Sequence, residues 1–262
     1  MATDKAYYPS LHPVDEGTLD PAKLHIPQFS SRAPCMGALP IAVLEKNCFP
    51  IISGRTPYVA TQWTVDTGGT GGAIAEATTA GGGILATAAS DADFNWSIQS
   101  KQLLTPTAGK VITCIARIQV SAIDGIGFHL GFGTTQVLPF TTDFTDKIVI
   151  QKAILAGAVT GVVRGNAGTA AASATLGTMV NATEIEVGFE ALIAATAAGC
   201  RVTWLYNGAR MAQTATVDVA QRAQLLAMLT TPQSMYLTAD FTGVTGTNPT
   251  ATVTLLQAEV DR

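Results

Sequence analysis

The stretch CRVTWLYNGARMA, residues 200 to 212, decides how the rest of the chain is read. Successive side chains of a strand point to opposite faces, so Cys200, Val202, Trp204 and Tyr206 share one side and Arg201, Thr203 and Leu205 the other. Asn207-Gly208 then breaks the alternation. A two-residue type I′ turn needs φ > 0 at both central positions, and Asn-Gly meets that need best. The stretch predicts two antiparallel strands joined by a tight turn, with Cys200, Val202, Trp204 and Tyr206 facing a core. Such a hairpin suits a sugar-binding sandwich, a sugar-cleaving one, or one that covers another surface.

Outward from the hairpin the same period of two recurs. Ile112, Cys114, Ala116, Ile118 and Val120 share a face in Val111–Val120; Phe128, Leu130 and Phe132 do so in Gly127–Gly133. Ile185, Val187, Phe189 and Ala191 line Glu184–Leu192 opposite Glu184, Glu186 and Glu190, and Met235–Phe241 and Thr252–Val260 repeat the pattern. The Gly-rich stretch TGGTGGAIAEATTAGGGILATAA matches no phosphate-binding loop and predicts two short strands, Gly72–Ala77 and Gly83–Ala88, around a Thr-Thr-Ala-Gly turn. Asp218–Leu229 reads as a helix with Leu225, Leu226 and Leu229 as its apolar stripe, stopped by Pro232. Six or more half-buried strands with Gly, Asn and Thr turns predict an all-β, two-sheet antiparallel sandwich with one short helix.

Composition narrows the function classes. Hydrophobic residues make up 47% of the 262 residues, so a core is easily filled. Charged residues make up only 13%, about half the usual share, which points to a surface covered by a partner. A net charge of −4 with no basic tract argues against nucleic acid. No uninterrupted apolar run is long enough to span a membrane, and MATDKAYYPS lacks the pattern of a secretory signal. Cys35, Cys48, Cys114 and Cys200 form no Cys-x-x-Cys pair and read as free buried thiols; with three histidines, no metal site is expected. Asn95-Trp96-Ser97 and Asn181-Ala182-Thr183 match the glycosylation pattern, which matters only in a secreted eukaryotic protein.

Residues 1–60 differ from the rest. They hold Pro9, Pro13, Pro21, Pro27, Pro34, Pro40, Pro50 and Pro57, a density that excludes helix interiors and central strands. This predicts an extended N-terminal arm, followed by the sandwich over residues 61–262. The apolar and aromatic side chains Tyr7, Tyr8, Phe29, Ile41, Val43, Leu44, Phe49 and Ile51 are the candidates for gripping whatever the arm lies on.

The order of the segments carries a resemblance. WSIQSKQLLTPTAGK leads into VITCIARIQVS and GIGFHLGFGTT; TEIEVGFEAL, the VTWLYNG hairpin, a short helix and a strand ending AEVDR follow. This resembles the concanavalin-like (jelly-roll) sandwich domains of structural virion proteins of tailed bacteriophages, over roughly residues 60 to 262. In that pattern a "F-x-A-R-[IVF]-x-V" strand precedes a "[VI]-x-W-x-x-N-G" hairpin. Here the first strand carries Cys114-Ile115-Ala116-Arg117 without the aromatic, and the Pro-rich arm lies outside the resemblance. The resemblance implies a capsid decoration (cement) protein, bound to the major capsid protein on the phage head surface, made in the host cytoplasm and assembled as a homotrimer.

Each candidate chemistry in the sequence has a simpler reading. Glu184-Ile185-Glu186-Val187-Gly188-Phe189-Glu190 looks like the catalytic strand of sandwich-fold β-glucanases, and a retaining glycosidase needs two carboxyls about 5–5.5 Å apart. The third carboxylate stands one or two residues too far along, and three glutamates on a solvated strand face explain the pattern without catalysis. Asp91-Ala92-Asp93 is compatible with calcium but reads as a turn. His12 and His25 fall in the arm, and His129, opposite the Phe128 face, reads as a surface or interface histidine. Trp63, Trp96 and Trp204 could form a sugar-stacking platform, although Trp204 shares the core face of Val202. The expectation is therefore a structural protein and not an enzyme, with no cofactor. A carbohydrate-binding, host-recognition module is the alternative, and a glycosidase stays open.

Overall fold

The computed structural model describes residues 46–48, 52–53, 63–77, 83–89, 94–101, 105–133, 147–154, 156–164, 172–211, 225–226, 228–229, 232, 234–241 and 248–261. Its strands are, in chain order, β1 Lys46–Cys48, β2 Ile52–Ser53, β3 Trp63–Gly69, β4 Gly72–Glu76, β5 Ile84–Ala88, β6 Phe94–Ser100, β7 Lys110–Val120 and β8 Ile126–Gly133. They continue with β9 Lys147–Lys152, β10 Ala158–Arg164, β11 Ala172–Thr178, β12 Ile185–Ile193, β13 Arg201–Tyr206, β14 Ala209–Arg210, β15 Ser234–Phe241 and β16 Thr250–Asp261. Every pairing is antiparallel.

Two sheets result. The first runs β14-β13-β12-β7-β16-β5-β4, with β1 and β2 also on β16; the second runs β11-β10-β9-β8-β15-β6-β3. Strands adjacent in sequence often lie in different sheets, as β3 and β4 do, so the chain crosses repeatedly between the layers. This is the expected all-β, two-sheet antiparallel sandwich. Residues 63–100 supply strands to both sheets and are part of it.

The alternation read from the sequence fills the space between the sheets. Ile112, Cys114, Ala116, Ile118 and Val120 of β7 are buried in one cluster with Ile185, Val187, Phe189 and Ala191 of β12 and Phe128, Leu130 and Phe132 of β8. Phe132 meets Phe189 edge-on across the sheets at 5.9 Å between ring centroids, and Phe189 meets Trp204 edge-on at 5.8 Å. Asn207 and Gly208 have φ of 47° and 77°, as a type I′ turn requires. Asn207 also accepts a hydrogen bond at Oδ1 from the Glu186 amide, 2.9 Å away, so the turn residue locks the neighbouring strand as well.

Of the expected helix Asp218–Leu229, Leu225 and Leu226 are helical, and residues 218–224 and Ala227 lie outside the described residues. Leu225 and Met228 are buried in the core, and Leu226 and Leu229 pack against it. Met228 takes an inward place that the expected stripe omitted.

His129 is a correction. Its place opposite the Phe128 face predicts a surface or interface histidine, yet only 6% of it is accessible. The cause is its strand: β8 lies between β9 and β15 within its sheet, and all eight of its residues are buried, so both faces are covered. Trp204 lies in the core, as the face it shares with Val202 predicts, and the alternative of a sugar-stacking platform fails for all three tryptophans. Trp63, Trp96 and Trp204 are each at most 1% exposed and belong to the core, so none offers a ring to a sugar.

Across the sandwich, Trp204 of β13 lies against Gly161 of β10, where an added Cβ would come within 2.5 Å of the indole ring. Gly161→Ala should therefore cost about 1–3 kcal/mol by overpacking, and Trp204→Ala about 3–5 kcal/mol by leaving a cavity. Equilibrium urea unfolding reads both; a Gly161→Ala variant as stable as the parent would mean the sheets part more easily than this packing implies.

Candidate functional site

Two places carry the chemistry that the sequence singled out. One is the outer face of the β12–β7–β16 sheet. Because Ile185, Val187 and Phe189 point inward, Glu186 and Glu190 must point out. Register then decides their neighbours. Glu186 lies opposite Arg117 on β7, and its Oε2 accepts from Arg117 Nε at 2.9 Å. Glu190 accepts at Oε1 from Arg210 Nη2 at 2.8 Å, across the hairpin. Glu184, just before β12, accepts at Oε2 from the Thr254 hydroxyl at 2.6 Å. Thr254 sits where the β16–β7 register shifts between Val253 and Leu255, so a β-bulge delivers its hydroxyl. All three carboxylates therefore have donors from neighbouring strands, the arrangement expected of a solvated strand face. Arg117 and Arg210 are 39% and 61% exposed at the side chain, so each pair is worth about 1 kcal/mol at most.

The second place is the free flank of β16. β7 pairs along one side of this strand, while β5 takes only Thr250–Val253 on the other. Beyond that point the N-terminal segment fills the flank. Ile52 and Ser53 pair with Leu256 and Leu255, and Lys46, Asn47 and Cys48 pair with Asp261, Val260 and Glu259. Two pieces of the stretch read as an arm are thus strands of the sandwich sheet. Proline density hid them, because Pro50 stands between the two and residues 49–51 separate them. The candidate gripping residues Tyr7, Tyr8, Phe29, Ile41, Val43, Leu44, Phe49 and Ile51 lie outside the described residues, as do Asp91, Ala92, Asp93, His12, His25 and Cys35.

Lys152, a buried titratable group at the end of β9, was not singled out from the sequence. It is 0% exposed, and its Nζ donates to the carbonyls of Ile123 at 2.5 Å, Ile126 at 2.6 Å and Ala153 at 3.1 Å. An ammonium has three donors, so the three carbonyls satisfy it and tie the β7–β8 turn to β9. The signal was faint: a lone lysine after the apolar run Ile148–Ile150. Cys114 and Cys200 are buried, as expected, with the Cys200 thiol directed at the carbonyls of Ala194 and Thr196, and burial pushes the Cys114 thiol up. Among the described residues, no three His, Cys, Asp or Glu side chains converge as metal ligands would.

No protein-family model and no curated protein matches the chain. Solved structures do. An endo-1,3-beta-glucanase from Streptomyces sioyaensis superposes with a TM-score of 0.55 at 12% identity, over 86% of this chain and 99% of that one. The carbohydrate recognition domain of Emp47p gives 0.54 at 12% identity, over 82% and 96%. A Bacteroides ovatus mixed linkage glucan GH16 protein gives 0.51 at 9% identity, over 82% and 99%. The fold is therefore a concanavalin-like jelly roll, the kind that carbohydrate-recognition domains and glucanases use. At such identities the likeness establishes the fold alone.

Burial pulls the Lys152 ammonium down to about 8 from 10.5, against the pull of Asp124, which holds it up. Between these values the unfolded chain keeps the proton that the folded chain releases, so this group's contribution favours folding increasingly as pH rises. The three carbonyls favour the ammonium, so the gain stays below the roughly 3 kcal/mol of a full shift. Unfolding free energies of the parent and Lys152→Met should diverge in the parent's favour from about pH 8 to 10.5. A constant difference would mean that Lys152 stays charged throughout.

Proposed function

We propose that this protein is a structural virion component, a decoration protein that binds the major capsid protein shell of a tailed-bacteriophage head and stabilises it. The observation that carries the reading is the root of the arm. Lys46–Cys48 and Ile52–Ser53 are main-chain paired to β16, a strand inside the sandwich sheet. Whatever residues 1–45 hold is thereby coupled to the whole domain, and the aromatic and apolar set of Tyr7, Tyr8, Phe29, Ile41, Val43 and Leu44 supplies the grip, with Phe49 and Ile51 beside the anchoring strands. The low charge fits a surface made for protein contact. The burial of Trp63, Trp96 and Trp204 and the engagement of Glu184, Glu186 and Glu190 agree with a scaffold role.

The mechanism is mass action. A protein that binds the assembled shell and not its separated subunits lowers the free energy of the assembled state. Because the arm and the sandwich are joined, engagement of one raises the effective concentration of the other. Neither nucleic acid nor membrane is a proposed partner, and no cofactor or catalytic residue is assigned.

One observation favours a second reading, a carbohydrate-binding module: the fold itself, shared with the carbohydrate recognition domain of Emp47p. Binding on a glycan array, or melting that rises with calcium, would move the account to that reading. Hydrolysis of a β-glucan that disappears in Glu184→Gln and Glu186→Gln would move it to an enzyme.

Two truncations separate the roles of the N-terminal segment. Deleting residues 1–45 should leave the melting temperature close to the parent's but abolish binding to empty heads of the encoding phage in a co-sedimentation assay. Deleting residues 1–55 removes β1 and β2, uncovers β16 from Leu255 to Asp261, and should also lower the melting temperature. Undiminished head binding by the first truncation would overturn the arm's role.

A further inference from the structure

The first sheet ends at β4, and among the described residues no strand pairs beyond it. β4 pairs only with β5 among the described residues, and four of its five residues are exposed, with Ile74 half-buried against the core. Natural sheets blunt such an edge with lysine, proline or a bulge. Gly72-Ala73-Ile74-Ala75-Glu76 has none of these, and its one charge is at the far end.

The hydrogen-bond phase says which main-chain groups face outward. Ala89 N donates to Gly71 O at 2.6 Å, and Ala77 N donates to Gly83 O at 2.9 Å. Bonded positions alternate along an antiparallel ladder. Residues 71, 73, 75 and 77 therefore spend their main-chain groups on β5. Gly72, Ile74 and Glu76 aim theirs away from the sheet.

We propose that a second copy of this chain adds at this edge, through a two-fold antiparallel β4–β4 pair centred on Ile74. That centre places Gly72 opposite Glu76 of the other copy, Ile74 opposite Ile74, and Ala73 opposite Ala75. The outward-aimed residues then meet one another, giving about six N–H···O bonds. Each Glu76 faces a glycine, so no like charges are opposed. Centring on Ala73 or Ala75 would leave only two hydrogen-bonded residue pairs within the strand, about four N–H···O bonds, and centring on Glu76 would oppose two carboxylates. A contact that maps a patch onto itself closes as a dimer. A homotrimer closed through β4 would need it to meet a different edge, and the other end of the same sheet is β14, two residues long. This pairing does not depend on the shell-binding reading.

Two measurements on the full-length protein test it. Sedimentation equilibrium of the parent, in a series reaching millimolar protein, should give a mass twice 27.1 kDa. Ala73 and Ala75 of opposite copies form a non-bonded pair, with Cα atoms about 4.5 Å apart, close enough for a disulfide. The double variant Ala73→Cys/Ala75→Cys should become a covalent dimer on mild oxidation, while either single variant and the oxidised parent should not. A monomer at every concentration, a trimer, a dimer that fails to cross-link, or equal cross-linking by a single variant would each overturn the pairing.

Discussion

Aromatic rings of one sheet rest on glycines of the other, and the sandwich depends on that contact. Trp204 covers Gly161, Tyr206 covers Gly177, and Phe94 covers Gly72; an added Cβ would come within 2.1 to 2.5 Å of each ring. The first two pairs lie towards the β13 end of the first sheet and the third lies at its β4 end. Rings on bare backbone thus set the spacing at both flanks, and branched aliphatic side chains with the Phe132–Phe189 pair fill the middle. Interiors are close-packed, so neither side of such a contact can change size alone. Tyr206 adds a hydrogen bond, its hydroxyl donating to Thr178 O at 2.9 Å across the sheets.

Alternation made the central strands legible. β7, β12 and β13 each face a core on one side and a polar surface on the other, and their inward residues are those the period of two selects. The Asn207-Gly208 turn and the β4–β5 hairpin were legible because glycine and asparagine mark backbone that other residues avoid. β10 and β11 were not: Ala158–Arg164 and Ala172–Thr178 are built from small residues with weak contrast between faces, and Gly161 and Gly177 exist to receive rings from the other sheet. β9 reads as the unbroken run Ile148-Val149-Ile150, buried on both faces, which carries no period at all. His129 misled for the same reason, since only the strand order reveals that β8 has no wet side.

The candidate site was legible in composition more than in geometry. The three glutamates on one strand were visible; their partners Arg117, Arg210 and Thr254 come from positions 69, 20 and 70 residues away and required the register. The arm's aromatic and apolar residues were visible too, but its junction with β16 was not. That junction is made by main-chain pairing, which is nearly indifferent to side-chain identity, so Lys46-Asn47-Cys48 leaves little trace in the sequence. It ties residues 46–48 and 52–53 to β16, inside the sandwich sheet.

We propose that the sandwich sits on a phage head and is held there through residues 1–45. The most direct measurement is a cryo-electron microscopy map of heads assembled with and without the protein, at a resolution that traces main chain. The expected map shows density for the sandwich on the outer shell, with residues 1–45 running from β1 across capsid subunits. Identical maps with and without the protein, or a bound sandwich whose residues 1–45 touch no capsid subunit, would contradict it.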